Sequence, residues 1–181
     1  MDRVVGIDLG TTNSLVAILE DGGPRVLPDP DTGARLLPSA VSFLPDGEIV
    51  VGQRARQLAA EHPLDTILSV KRFMGLGPEH VTAEDRRRYR FAEGASGVVR
   101  FVAGGRERTP PEVSAYVLRE LRRWAERALV AELEERYAAW DAAGGETPDA
   151  LAELKRRLSE IAYLNTLRDD VDETLDSLGA N

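Results

Sequence analysis

An apolar run, Val4-Val5-Gly6-Ile7, leads into Asp8-Leu9-Gly10-Thr11-Thr12-Asn13-Ser14, and a second apolar run, Leu15-Val16-Ala17-Ile18-Leu19, follows at once. Two apolar segments joined by so short a polar stretch read as a β-hairpin with a tight turn. Gly10 lets the backbone approach a ligand closely. The amides and hydroxyls around Thr11, Thr12 and Asn13 can point at phosphate oxygens, as in other backbone concavities that bind anions. Asp8, at the strand end, is suited to a hydrated Mg²⁺, an ion that usually keeps several of its waters. The plain alternative is a polar hairpin turn with an acidic flank, since glycine turns are common punctuation.

Four further blocks follow in the chain. They are Leu37-Pro38-Ser39-Ala40-Val41-Ser42-Phe43, then Val51-Gly52-Gln53-Arg54-Ala55, then Thr66-Ile67-Leu68-Ser69-Val70-Lys71-Arg72-Phe73-Met74-Gly75. The last is Thr109-Pro110-Pro111-Glu112-Val113-Ser114-Ala115-Tyr116-Val117-Leu118. With residues 8–14, these blocks in this order and spacing resemble the DnaK-type seventy-kilodalton heat-shock chaperones, within the actin-like ATPase superfamily. The resemblance covers about residues 3–129. It implies an α+β fold, a partial actin-like (ribonuclease H-like) ATPase lobe.

The resemblance also implies a site. The family's first phosphate loop matches Asp8, Gly10, Thr11, Thr12 and Asn13, with Mg²⁺ held through water by Asp8. A lysine that meets the γ-phosphate region matches Lys71. Its physical role is to offset charge on the transferring phosphoryl group and to position the attacking water. In the family, ATP is clamped between two lobes. The second Gly-rich phosphate loop, the other acids near Mg²⁺ and the purine pocket have no counterpart in these 181 residues. Phosphoryl transfer depends on positioning and electrostatic stabilisation from several sides at once. Half a site is therefore expected to bind ATP and Mg²⁺ weakly and to hydrolyse poorly.

Composition sets outer bounds. Hydrophobic residues make up 43% of the chain, enough for a packed core rather than disorder. The formal charge of −8 argues against nucleic acid or an anionic membrane surface as the main partner. There is no cysteine, which excludes disulfides and thiolate metal sites. No basic region followed by an apolar stretch opens the chain, and no run of about 18 apolar residues occurs. The expected location is cytoplasmic.

The chain divides into three regions. Residues 1–52 read as β-rich, with strands over 4–9, 15–19 and 24–27 and a turn at Asp21-Gly22-Gly23. Asp29-Pro30-Asp31-Thr32-Gly33 is turn-rich and exposed. Apolar runs over 41–44 and 48–51 flank Pro45-Asp46-Gly47, a strong hairpin signal. Residues 53–108 mix helix and strand. A helix over 53–61 ends at His62-Pro63, because the residue before proline disfavours the helical region. Ile67, Val70, Phe73 and Met74 sit at helical spacing, and Gly75 and Gly77 break that stretch. Thr82-Ala83-Glu84-Asp85 caps a short helix, residues 89–91 and 97–102 read as strands, and Gly104-Gly105 makes a turn.

Residues 109–181 read as helical. Thr109 is a candidate N-cap, with Pro110 just inside and Glu112 three residues on. Val113, Val117, Leu121, Trp124 and Ala128 form one apolar stripe, extended by Leu133 and Tyr137. Gly144-Gly145 turns the chain, and Thr147-Pro148-Asp149 restarts a helix. Leu151, Leu154, Leu158 and Ile161 carry a second stripe, continued with a phase shift by Leu164, Leu167, Val171, Leu175 and Leu178. The expected domains are therefore a partial first lobe over 1–129 and a helical tail over 130–181. The tail forms a coiled-coil-like hairpin with 112–140. Each fully buried leucine is worth about 1.5–3 kcal/mol, so the second stripe needs a surface. It is expected to pack back on 112–140 or to pair with another copy or another protein chain. In composition alone, residues 146–181 resemble the acidic lid helices of the chaperones.

Smaller features carry less. His62 and His80, with no cysteine or paired histidine, make a weak case for metal. Arg86-Arg87-Arg88 reads as a small basic patch or a solvated helix face. Trp124 and Trp140 read as packing residues. Asp169-Asp170-Val171-Asp172-Glu173 lacks the glycine and spacing of a calcium loop. The function expected is that of a truncated or remodelled DnaK-type chaperone-family protein with a partial ATP phosphate site. No independent ATPase or peptide-binding cycle is expected. Two other readings stay open: a helical protein–protein interaction module in which nucleotide plays no part, and an ATPase completed by a second chain.

Overall fold

The computed structural model describes residues 5–20, 22–94, 97–142 and residue 152. The opening hairpin pairs β1 (Val5–Asp8) with β2 (Asn13–Glu20) in antiparallel register, Val5 opposite Ile18 and Asp8 opposite Leu15. The β3 strand (Gly23–Val26) adds to the other side of β2, giving the order β1-β2-β3. Ser14, Val16 and Ile18 are buried at alternate positions, the period-2 signature of a strand with one face in the core. Residues 31–36 run over the surface before β4 (Leu37–Pro38) returns to pair with the start of β2, Asn13 opposite Pro38.

A second antiparallel sheet has the order β6-β5-β7. Its central strand β5 (Ala40–Phe43) is buried at every position. The turn to β6 (Ile49–Val51) closes as the Pro45-Asp46-Gly47 signal predicts, with Gly47 at φ 89°. Helix α1 (Gln53–Leu58) is shorter than expected, because the Leu58 carbonyl accepts the amides of Glu61 and His62 in a closing turn. The helical spacing of Ile67, Val70, Phe73 and Met74 is misleading. Thr66–Leu68 is a strand, β7, and Val70–Phe73 is a single turn of 3-10 helix. Ser69, at φ 55°, separates the two. Val70 and Phe73 do point inward, so the burial reading holds while the element differs.

Helix α2 (Ala83–Arg88) opens on a full capping box. The Thr82 hydroxyl accepts the Asp85 amide at 3.1 Å, and the Asp85 carboxylate accepts the Thr82 amide at 3.2 Å and its hydroxyl at 2.6 Å. Of the strands read over 89–91 and 97–102, the first is reduced to a bridge from Phe91 to Phe101, and the second forms only at its end, where β8 begins. The regular hairpin is β8 (Phe101–Ala103) with β9 (Arg106–Arg108), turning through Gly104 and Gly105 at positive φ. Phe73, Tyr89, Phe91 and Phe101 pack ring against ring, Phe73 and Phe101 edge-on at 5.1 Å.

Helix α3 (Pro110–Ala142) starts at its expected cap, with the Thr109 hydroxyl donating to Glu112 at 2.8 Å. It packs on β2 and the Val70–Phe73 turn, and on β5 and β6 of the second sheet. This explains why burial exceeds one stripe. Val113 through Val117 are all buried, as are Leu121, Arg122, Trp124, Ala125, Ala128 and Leu129. Enclosure ends there. Leu133 is only half-buried and Tyr137 is 56% exposed, so the stripe does not continue to Tyr137. Arg25 of β3 grips Glu132 through two hydrogen bonds of 2.8 and 3.0 Å, and Arg127 pairs with Asp29 and Asp31. The second arm of the expected helical hairpin lies outside the described residues. Among the described residues, no helix is long and apolar enough to cross a membrane.

The Asp85 carboxyl is held below its ordinary value of 3.8, first by the Thr82 hydroxyl and against the opposing effect of burial; the Thr82 amide, Arg72 and Arg88 add to it. A carboxylate lowered in the folded state stabilises the fold above its unfolded value, and that contribution is lost as pH falls through the folded value. The Asp85→Asn variant is therefore expected to be less stable than the parent chain at pH 7. The gap should narrow as pH drops below 3.8. Urea unfolding at stepped pH checks this; a gap that stays constant down to acid pH would refute it.

Candidate functional site

The turn between β1 and β2 is held from inside. The Ser14 hydroxyl accepts the Gly10 amide at 3.2 Å and shares a 2.8 Å hydrogen bond with the Ser39 hydroxyl. Ser39 in turn donates to the Gly10 carbonyl at 2.8 Å, and its amide donates to the Thr12 carbonyl at 2.9 Å. Both serines are buried, so these bonds are made away from water, where an unmade one would cost about 1–3 kcal/mol. The turn is also tight in the steric sense. A Cβ on Gly10 would sit 2.0 Å from the Asn13 carbonyl oxygen, a contact no side chain can make.

With the inner groups engaged, the outer ones are left to solvent. Asp8, Thr11 and Thr12 are exposed, while Gly10 and Asn13 are half-buried. The turn therefore presents hydroxyls from Thr11 and Thr12 beside one carboxylate. That set suits a phosphate with its counter-cation: donors for the oxygens, and an anionic group for a hydrated Mg²⁺.

Lys71 lies on a different element, and Ser39 connects the two. The Ser39 carbonyl accepts the Ser69 amide at 3.2 Å. Ser69 occupies the left-handed region, uncommon for a residue with a side chain, and this turns the chain from β7 into the 3-10 helix. Buried Val70 and Phe73 fix that helix on either side of Lys71 and Arg72, which both face water. One residue thus ties the turn at Thr12 to the segment that carries Lys71. The sequence reading named Asp8, Gly10, Thr11, Thr12, Asn13 and Lys71 but gave no role to Ser14, Ser39 or Ser69. The available signal was two serines flanking apolar strands at positions that become buried, which calls for a mutual hydrogen bond.

The braced hairpin turn and the lysine-bearing turn lie within the stretch that carries the family resemblance. Residues 4–137 match the Hsp70 protein family, and the chain belongs to it. The chain is 52% identical over 130 residues to a chaperone protein HscA homolog from Azotobacter vinelandii, a match covering 71% of this chain and 21% of the relative. It is 43% identical over 164 residues to an HscA homolog from Laribacter hongkongensis and 42% identical over 164 to one from Ralstonia pickettii. Each of these covers 91% of this chain and 26% of the relative. The chain thus spans about a fifth to a quarter of the length of these relatives. Alignments of 164 residues pass Leu129, so the family likeness reaches into the tail beyond the last motif block.

Proposed function

We propose that this Hsp70-family chain grips the phosphates of ATP on the Gly10–Asn13 turn, as one wall of a nucleotide site. The observation that carries this reading is the internal bracing of the turn by Ser14 and Ser39, which leaves Asp8, Thr11 and Thr12 facing solvent. A turn whose shape is fixed before the ligand arrives loses little conformational freedom on binding. Backbone amides and the Thr11 and Thr12 hydroxyls would hold phosphate oxygens. Asp8 would hold the hydrated Mg²⁺, and Lys71 would offset phosphate charge. The cation, when bound, supplies neutralisation of that charge. These residues grip from one side only, and efficient phosphoryl transfer requires positioning from several.

The 181-residue polypeptide is therefore expected to bind Mg-ATP at about millimolar Kd, near −4 kcal/mol. Calorimetry should show that Asp8→Ala weakens this further. Steady ATP turnover should stay at background in both the parent chain and Lys71→Ala. Submicromolar binding, or a turnover that vanishes in Lys71→Ala, would mean that the site is complete, within one chain or through self-association.

A second reading concerns the end of α3. The buried apolar residues of the helix between 113 and 129 are covered by the chain's own sheets, and its outer face there carries charged residues such as Arg123 and Arg127, so exposed apolar surface on this helix lies over 130–142. Val130 is 38% exposed and Tyr137 56% exposed on that stretch. We infer that residues 130–142 are where the tail, a second copy or another protein packs. Sedimentation velocity on the parent chain and on Val130→Asp/Tyr137→Asp tests the self-association form of this. A dimer lost in the double variant supports it; a monomer at every concentration, with unchanged thermal stability in the variant, contradicts both self-association and tail packing.

A further inference from the structure

A concavity lies beside β7, an edge strand of the β6-β5-β7 sheet, between the end of α1 and the end of α2. Its volume is about 350 Å³, within the range of small-molecule sites. Its floor is apolar: Pro63, Leu64, Leu68 and the ring of Tyr89. Leu64 is 41% exposed there. The two polar groups set into the floor already have partners. The Tyr89 hydroxyl donates to the Leu68 carbonyl at 3.0 Å, and the Thr66 hydroxyl is bonded to Ser42 at 2.8 Å. The charged side chains that complete the lining are cationic, Arg87 and Arg88, both exposed.

These two differ from the arginines around them. Arg72 pairs with Asp85 at 3.4 Å, Arg86 donates to the Pro78 carbonyl at 3.1 Å, and Arg90 pairs with Asp65 at 2.9 Å. Among the described residues, Arg87 and Arg88 form no hydrogen bond or ion pair; Arg88 only lends its charge to the field around Asp85 and Tyr89. The two arginines that line the cavity thus keep their guanidinium groups unpaired among the described residues.

We propose that this cavity binds an aliphatic carboxylate: an alkyl group of about leucine size or larger on the Leu64–Leu68–Tyr89 floor, with its carboxylate on Arg87 and Arg88. The unpaired side-chain groups on the lining are donors, which favours an acceptor-only head group. A planar guanidinium meets a carboxylate with two parallel hydrogen bonds. The same chemistry is found in a free aliphatic acid and in the C-terminal leucine of a peptide.

Backbone amide NMR titration of the full chain separates the outcomes. The probes are octanoate and N-acetyl-leucine, with their neutral amides, octanamide and N-acetyl-leucinamide. At least one carboxylate should give saturable shifts at Leu64, Leu68 and Tyr89 with a Kd of about 1–5 mM, and its amide should bind about tenfold weaker. Octanoate binding tighter than N-acetyl-leucine identifies a free aliphatic acid as the ligand class, and the reverse order identifies a peptide C-terminus. Arg87→Ala/Arg88→Ala should weaken the carboxylate by about tenfold or more, while Arg86→Ala leaves it unchanged. Both arginines are exposed, so unchanged thermal melting of the double variant is expected and shows that the fold is intact. No saturable shift with either carboxylate, equal binding of the neutral amides, or full affinity in the double variant would each overturn the proposal.

Discussion

The connection through Ser39 is the constraint on which the candidate site depends. Its side chain bonds to Gly10 and Ser14, its amide to Thr12, and its carbonyl to the Ser69 amide. The residue stands between β4, which pairs with the first sheet, and β5, the centre of the second. Four hydrogen bonds on one buried residue thus fix the Gly10–Asn13 turn and the start of the Lys71 segment to one another. The cost of leaving such groups unpaired in a dry interior is what holds the arrangement to a single geometry.

Helix α3 supplies the second constraint by filling the space between the sheets. Its buried stretch contacts β2 on one side and β5 and β6 on the other, with the Val70–Phe73 turn against it. The Phe43 and Tyr116 rings meet edge-on at 5.6 Å, joining β5 to the helix. Beyond Leu129 the packing changes character. Charge pairing, with Arg25 on Glu132, replaces apolar contact, and the helix runs out into solvent. Such pairs at partly exposed positions are worth little individually, so stability is concentrated in residues 113–129.

Much of this was legible from residue patterns, and the exceptions have physical causes. The opening hairpin, the Pro45-Asp46-Gly47 turn and both capping boxes were readable because each depends on local chemistry. The stretch from Thr66 to Met74 was misread because period 3.6 and a strand followed by one turn of 3-10 helix give the same inward positions over so short a span. Ser69 in the left-handed region leaves no mark in composition. Arg122 was not foreseen as buried; its guanidinium is paired with Glu126 at 2.8 Å on the same helix, which lets a charge sit where two sheets close over α3. In the site, the outward-facing Asp8, Thr11 and Thr12 were legible in the hairpin turn itself, and Lys71 through family resemblance. The serines that shape it were not, because their partners lie 25 and 29 residues away in the chain. The second arm of the expected hairpin falls on residues that are not described.

Native-state hydrogen exchange at the Gly10, Ser39 and Ser69 amides tests the central claim most directly. If the Gly10–Asn13 turn and the Lys71 segment are fixed to each other through Ser39, these three amides exchange as slowly as the paired amides of β2, through the same large-scale opening. If Ser39 and Ser69 exchange at the rate of an open loop while β2 stays protected, the turn and the lysine move independently and the account fails.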